Sequence, residues 1–135
     1  MLKGRVKPAV LVVYFRTLLN GWTTTRRMRS AEGIAKHNIP PCPLCGTAED
    51  SLEHLAYCNW THIIFKRFNV PICNTVQFLS LDHPATSANV LALRAQALAA
   101  LYLIYNTVTH QPPDAPRILI SELINVVCAR PGAPL

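Results

Sequence analysis

The sequence predicts a mainly α chain: a small helical domain interrupted by a compact cysteine-bearing insert. Three observations carry that reading. Apolar residues recur at helical spacing across residues 89–109, and again at Ile118, Leu119, Leu123, Ile124, Val126 and Val127. Eleven prolines against five glycines punctuate the chain into short helices joined by proline-set loops. Half of the 135 residues are apolar and only 15% are charged, which supports a core and excludes wholesale disorder. The length fits one domain, read as a basic tail over 1–7, a helical hairpin plus insert over 8–68, a C-terminal helical part over 69–129 and a disordered tail over 130–135.

Pro8 suits the first turn of a helix, where its missing N–H is not needed. Residues 9–19 follow as that helix, with Asn20-Gly21 as its stop. The β-branched Val10, Val12 and Val13 keep a short strand open as the alternative. Thr24 or Thr25 caps a second, mostly polar helix to about Glu32, ended by Gly33. Together the two helices make a hairpin with a basic outer face. Residues 38–50 are turn-rich and form no regular element.

Ser51 caps a third helix, expected to run through His54 and Cys58 toward Arg67 with a bend near Asn59 and an end at Pro71. Residues 72–87 read as a looser segment. Ser87 or Asn89 caps the long helix over 89–109, where Leu91, Ala95, Leu98, Leu101, Tyr102 and Tyr105 share a face. A rigid turn at 112–116 precedes a last helix over 116–129.

The charge is +6 and uneven. Residues 1–67 hold ten basic and four acidic residues, and residues 68–135 hold three of each. The excess is densest over 3–36, with eight basic residues and one acid, Glu32. Such asymmetry points to a polyanion such as nucleic acid, set against the plainer reading of a solvated basic face. The apolar run at 9–15 is short and lacks a cleavage site, so no secretory signal is expected. The most apolar run, 97–105, has nine residues, well short of the roughly 20 a bilayer needs, so no membrane partner is expected.

The chemistry concentrates at Cys42-Pro-Leu-Cys45, followed after eight residues by His54 and after three more by Cys58. A Cys-x2-Cys turn aims two thiolates at one ion, and Gly46 lets the backbone curl around the sulfurs. His54 and Cys58 stand at i and i+4, one face of the expected helix, and supply the other two ligands. Three thiolates and one imidazole make a closed tetrahedral zinc site, a CCHC zinc knuckle, with soft sulfur arguing against magnesium or calcium. His62 competes with Cys58 for the fourth position, and thiolate is the better match. Such a site leaves no open position to activate water, so its task is structural. It carries net negative charge, two plus from zinc against three thiolates, and Lys36, Lys66 and Arg67 are candidates to offset it. Cys73 and Cys128 read as core residues, and His37 as a solvent-facing one. Three clustered cysteines with a histidine suit a reducing compartment, hence an intracellular location, nucleus or cytoplasm.

The same residues carry a resemblance. An aromatic-bearing helix ends in a small-residue turn over 15–21, followed by Thr25-Arg26, Ile34, Cys42-Pro43-Leu44-Cys45-Gly46, Glu49-Asp50, and Leu52-Glu53-His54-Leu55 closed by Cys58. This pattern, over about residues 6–68, resembles the zinc-binding region found C-terminal to non-LTR retrotransposon reverse transcriptases. Many members place four residues between the histidine and the last cysteine, where this chain has three. The resemblance implies a nucleic-acid-binding accessory region that helps a polymerase engage RNA template or target DNA, with a reverse transcriptase polypeptide as a possible partner. It implies no catalysis in this chain. The polymerase Tyr-x-Asp-Asp motif is absent, and the three aspartates, Asp50, Asp82 and Asp114, stand far apart. The restriction-like nuclease of some relatives would need a Pro-Asp, a second acid and a lysine; Pro113-Asp114 and Glu122 exist, but no lysine follows Lys66 and Pro113-Asp114 reads as a turn. No Gly-rich phosphate loop and no Gly-x-Ser-x-Gly occurs.

Two functional readings of different class follow, and neither is an enzyme. In the first, Arg26, Arg27 and Arg29, with Lys36 and Arg16, contact phosphates through planar guanidinium forks and an ammonium. Trp22, Tyr57 and Trp60 are candidates to stack on unpaired bases, with packing as the plainer role. In the second, the neutral second half docks on a polymerase through Leu98, Leu101, Tyr102 and Tyr105. A decayed element fragment without present activity is the third possibility.

Overall fold

The computed structural model describes residues 6–18, 41–79, 81, 87–112, 114, 116 and 118–128. Within them the chain is mainly helical, in the order α1 (Pro8–Leu18), α2 (Leu52–Leu55), α3 (Asn59–Arg67), α4 (Thr75–Phe78), α5 (Ala88–Thr109) and α6 (Ile120–Cys128). No strand occurs among the described residues, and one isolated antiparallel bridge joins Pro41 to Glu49. The second expected helix, at 24–32, and the tail at 130–135 lie outside the described residues, as do Arg26, Arg27, Arg29, Lys36, His37 and Trp22.

Helix α5 is the axis of the fold. The Ser87 hydroxyl caps it by accepting from the Val90 N–H at 3.3 Å. Leu91, Ala95, Leu98, Leu101, Ile104 and Tyr105 are all buried, and so are Ala92, Ala97, Ala99 and Ala100. A helix apolar on nearly every side must be covered on nearly every side. Here α1, α3 and α6 each pack on α5, and α3 also meets α6. The alanines let those neighbours approach closely, since side-chain size at the contact sets interaxial distance. At 22 residues α5 is long and apolar enough to cross a membrane by length and composition alone, a longer apolar helix than the nine-residue run suggested. Of its most apolar window, 61% is buried inside the fold, as in the core helix of a packed domain.

Helix α1 resolves the helix-or-strand question over 9–18. Pro8 opens the first turn, and Val10, Val13 and Thr17 form one buried face. The Thr17 hydroxyl donates to the Val13 carbonyl at 2.9 Å, satisfying itself within the helix. On the outer face, Arg16 lies over the Tyr102 ring at 5.5 Å and donates to its hydroxyl.

The single helix expected from Ser51 to Arg67 is two helices. Helix α2 is one turn, and Cys58 adopts extended backbone (φ −64°, ψ 135°) before α3 begins. Helix α3 buries Thr61, Ile64 and Phe65. It ends where Asn69 takes a left-handed conformation (φ 59°), and Val70 donates back to the Phe65 carbonyl at 3.2 Å. The segment read as loose contains α4. Its cap is Asn74, whose side chain accepts from the Gln77 N–H at 2.9 Å, and Phe78 packs against Phe65 with ring centroids 5.9 Å apart. Cys73 is exposed, not a core residue, because it precedes this cap and offers its N–H to Gln77. Cys128 is half-buried on α6. The last helix starts at Ile120, later than expected, because the Gln111 side chain donates to the Pro116 carbonyl at 2.7 Å and extends the proline turn. Three members of the expected docking stripe, Leu98, Leu101 and Tyr105, are core, and Tyr102 is half-buried.

Asp50 is 4% exposed, and the Tyr105 hydroxyl reaches its two carboxylate oxygens at 2.8 and 2.9 Å. Replacing Tyr105→Phe is expected to cost about 1–3 kcal/mol in denaturant unfolding, because a buried acceptor loses a donor. Burial, and then the neighbouring carboxylate, push the Tyr105 phenol above its ordinary 10.0. The native chain therefore keeps this proton where the unfolded chain releases it, and stability falls as pH rises beyond about 10. Thermal melts across alkaline pH should show that slope flattened in the Tyr105→Phe variant.

Candidate metal centre

The loop before α2 is built to hold two thiols together. Cys42 N–H donates to the Ala48 carbonyl at 2.6 Å, and the Pro41–Glu49 bridge clamps the loop ends. Gly46 N–H donates to the Cys42 carbonyl at 2.9 Å, closing the turn around Cys45. Gly46 has φ 68°, and a Cβ placed there would meet nothing within 4 Å. Glycine is needed for the backbone angle and not for space.

The other two donors come from either side of the helix break. Ser51 accepts from the His54 N–H at 3.1 Å and so starts α2. The His54 Nε2 then lies 3.2 Å from Cys45 Sγ. Cys58, at the N-terminus of α3, completes the set. Ligand atoms of Cys42, Cys45, His54 and Cys58 all lie within 4.8 Å of one another, and all three cysteines are free thiols. The group can hold a metal ion. His62, half-buried on α3, is not part of the cluster. The expected i, i+4 geometry is not what joins His54 to Cys58, because Cys58 stands outside α2. The extended residue turns its sulfur back toward the loop.

Cys42 and Cys58 are buried, whereas Cys45 and His54 are half-buried. The Cys58 thiol hydrogen-bonds Cys42 and, with the N–H groups of Cys45 and Leu44, holds the Cys42 thiol down at about 5 despite its burial. That same hydrogen bond, and burial, push Cys58 up. One proton is thus retained between two sulfurs. Thr47 donates its hydroxyl to Cys45 Sγ at 3.2 Å.

Sequence reasoning missed Thr47 and the Asp50–Tyr105 anchor. The latter joins positions 55 residues apart, which no local spacing reveals. Arg16 belongs to α1, outside the cluster, and its guanidinium is engaged by Tyr102. Arg67, a candidate to offset the site's charge, donates instead to Asn125 at 2.9 Å. A cleft of about 560 Å³ runs along the cysteine turn, bounded by Cys42, Cys45, Gly46, Trp60, Leu119 and Ser121. No family model, curated protein or solved structure matches the chain.

Two outcomes follow from this geometry. Gly46→Ala should lower stability by roughly 1–2 kcal/mol in chemical denaturation, the strain of a left-handed angle on a residue with a Cβ. Metal uptake must release the retained cysteine proton, so affinity rises with pH. Calorimetric titrations in buffers of different ionisation enthalpy should register that proton.

Proposed function

We propose that this chain is a non-catalytic, zinc-binding, nucleic-acid-binding module of the kind found C-terminal to non-LTR retrotransposon reverse transcriptases. The observation that carries the reading is the convergence of Cys42, Cys45, His54 and Cys58 on one centre. Three sulfurs and one imidazole are the donor set of structural zinc, and sulfur disfavours the hard cations. A tetrahedral zinc–thiolate site has ligand–ligand edges of about 3.8 Å, given bonds near 2.3 Å. The spread of the four donors is close to that size. With all four positions taken by protein, zinc supplies no Lewis acid to a substrate. It ties the cysteine loop to the start of α3.

Nucleic acid is supported by the charge distribution, with ten of thirteen basic residues in the first half of the chain. Arg26, Arg27, Arg29 and Lys36 are the proposed phosphate contacts, with Arg16 as a peripheral one. Contacts of this type position a polymer without reading its sequence. Free thiols at the centre fit an intracellular setting, nucleus or cytoplasm. A second reading, a module docking on a reverse transcriptase polypeptide, draws on the apolar groove of about 330 Å³ between α1 and α5, edged by Val12, Tyr102 and Leu103.

Metal-replete purification should yield about one zinc per chain by elemental analysis, and Cys58→Ala should lose most of it. Anisotropy titrations on single-stranded RNA and duplex DNA should show affinity falling steeply with salt. Replacing Arg26, Arg27 and Arg29 together by Ala should weaken binding at low salt. Unchanged affinity would exclude that surface, and the absence of any salt-sensitive binding would favour the docking reading.

A further inference from the structure

The cysteines of the cluster are unequally buried. Cys42 is 2% and Cys58 1% exposed, whereas Cys45 is half-buried at the rim. The cleft lined by Cys42, Cys45, Gly46 and Trp60 opens along the turn, so both cysteines of the turn border it. Of the two cysteines on that cleft, Cys45 is the less buried, so a small solute there meets Cys45 more readily than Cys42. Once there, it finds a second sulfur close by, since every donor atom of the cluster lies within 4.8 Å of every other. The Gly46-to-Cys42 hydrogen bond keeps Cys42 and Cys45 on one closed turn.

Resting on the reading that the cluster holds zinc, we infer that Cys45 is a peroxide-sensitive thiolate whose oxidation, resolved by Cys42, expels the metal. The oxidant is hydrogen peroxide. The Cys45 sulfur attacks one peroxide oxygen, an S–O bond forms and the O–O bond breaks. The departing hydroxide takes a proton and leaves as water, and Cys45 is a sulfenic acid. The Cys42 thiolate then attacks that sulfur. An S–S bond forms, the S–O bond breaks, and a second hydroxide is protonated to water. Two thiolates lose two electrons in all, and peroxide gains them. Two of the four zinc donors are consumed, and a site left with His54 and Cys58 no longer closes around the ion. A thiol reductant reverses the bridge and restores zinc uptake.

The fold gives this step a structural readout. The cysteine loop is held at one end by the metal and at the other by Asp50 on Tyr105. Loss of the metal frees the first anchor and leaves the second, so α5 and its partners persist while the loop loosens.

The test uses the full chain loaded with zinc, carrying Cys73→Ser and Cys128→Ser so that the two cysteines outside the cluster do not report. Peroxide is added with a chromogenic zinc indicator, and products are mapped by peptide mass spectrometry with and without dimedone, which traps sulfenic acids. The expected result is loss of the whole zinc equivalent, dimedone first on Cys45, a Cys42–Cys45 bridge without it, and zinc uptake regained after reduction. Retention of zinc with unmodified thiols overturns the inference and leaves the metal reading standing. First modification at Cys42 or Cys58, or a bridge that excludes Cys45, also overturns it. A chain that takes up no zinc before peroxide is added overturns the metal reading itself, and this inference with it.

Discussion

A carboxylate buried among apolar side chains costs several kcal/mol unless hydrogen bonds receive it. Asp50 is such a group, and the Tyr105 hydroxyl on α5 meets both of its oxygens. The contact holds the loop carrying Asp50 in register on the helical core. That register places the Cys42–Cys45 turn on one side of Asp50 and the Ser51 cap of α2 on the other. The cluster inherits its alignment from this contact. The core beneath is an alanine-rich helix wrapped by α1, α3 and α6, rigid enough to act as the reference surface.

In the centre itself His54 and Cys58 come from either side of a helix break. A continuous helix from Ser51 to Arg67 would set the His54 and Cys58 side chains one turn apart on a straight face. The extended Cys58 backbone lets its buried sulfur turn back against Cys42. Two thiols so placed retain one proton between them, which lowers one and raises the other. The geometry thus sets a lowered thiol beside a raised one within a Cys/His cluster that can hold a metal ion.

Much of the fold was legible in local pattern. The long helix was expected over 89–109 and spans Ala88–Thr109, because its apolar spacing and its serine cap are local features. The mainly helical class followed from the same periodicity. Helix α4 was missed, although Asn74 followed by Gln77 is a capping signature that could have revealed it. Cys73 was misplaced in the core for the same reason, since its exposure follows from that cap. The stripe of Leu98, Leu101 and Tyr105 was ambiguous between docking face and core, because periodicity identifies an apolar face without saying what covers it.

By itself the sequence determined which residues have metal-ligand chemistry, where the long helix starts and stops, and how unevenly charge is spread. Those are properties of residue type and short spacing, set by side-chain chemistry and backbone sterics. Only the tertiary structure decided that Cys58 and not His62 joins the cluster, that Asp50 and Tyr105 meet across 55 residues, and which cysteine of the cluster is least buried. Those outcomes depend on how distant segments exclude water from one another, and burial of that kind has no signature in any short stretch of chain.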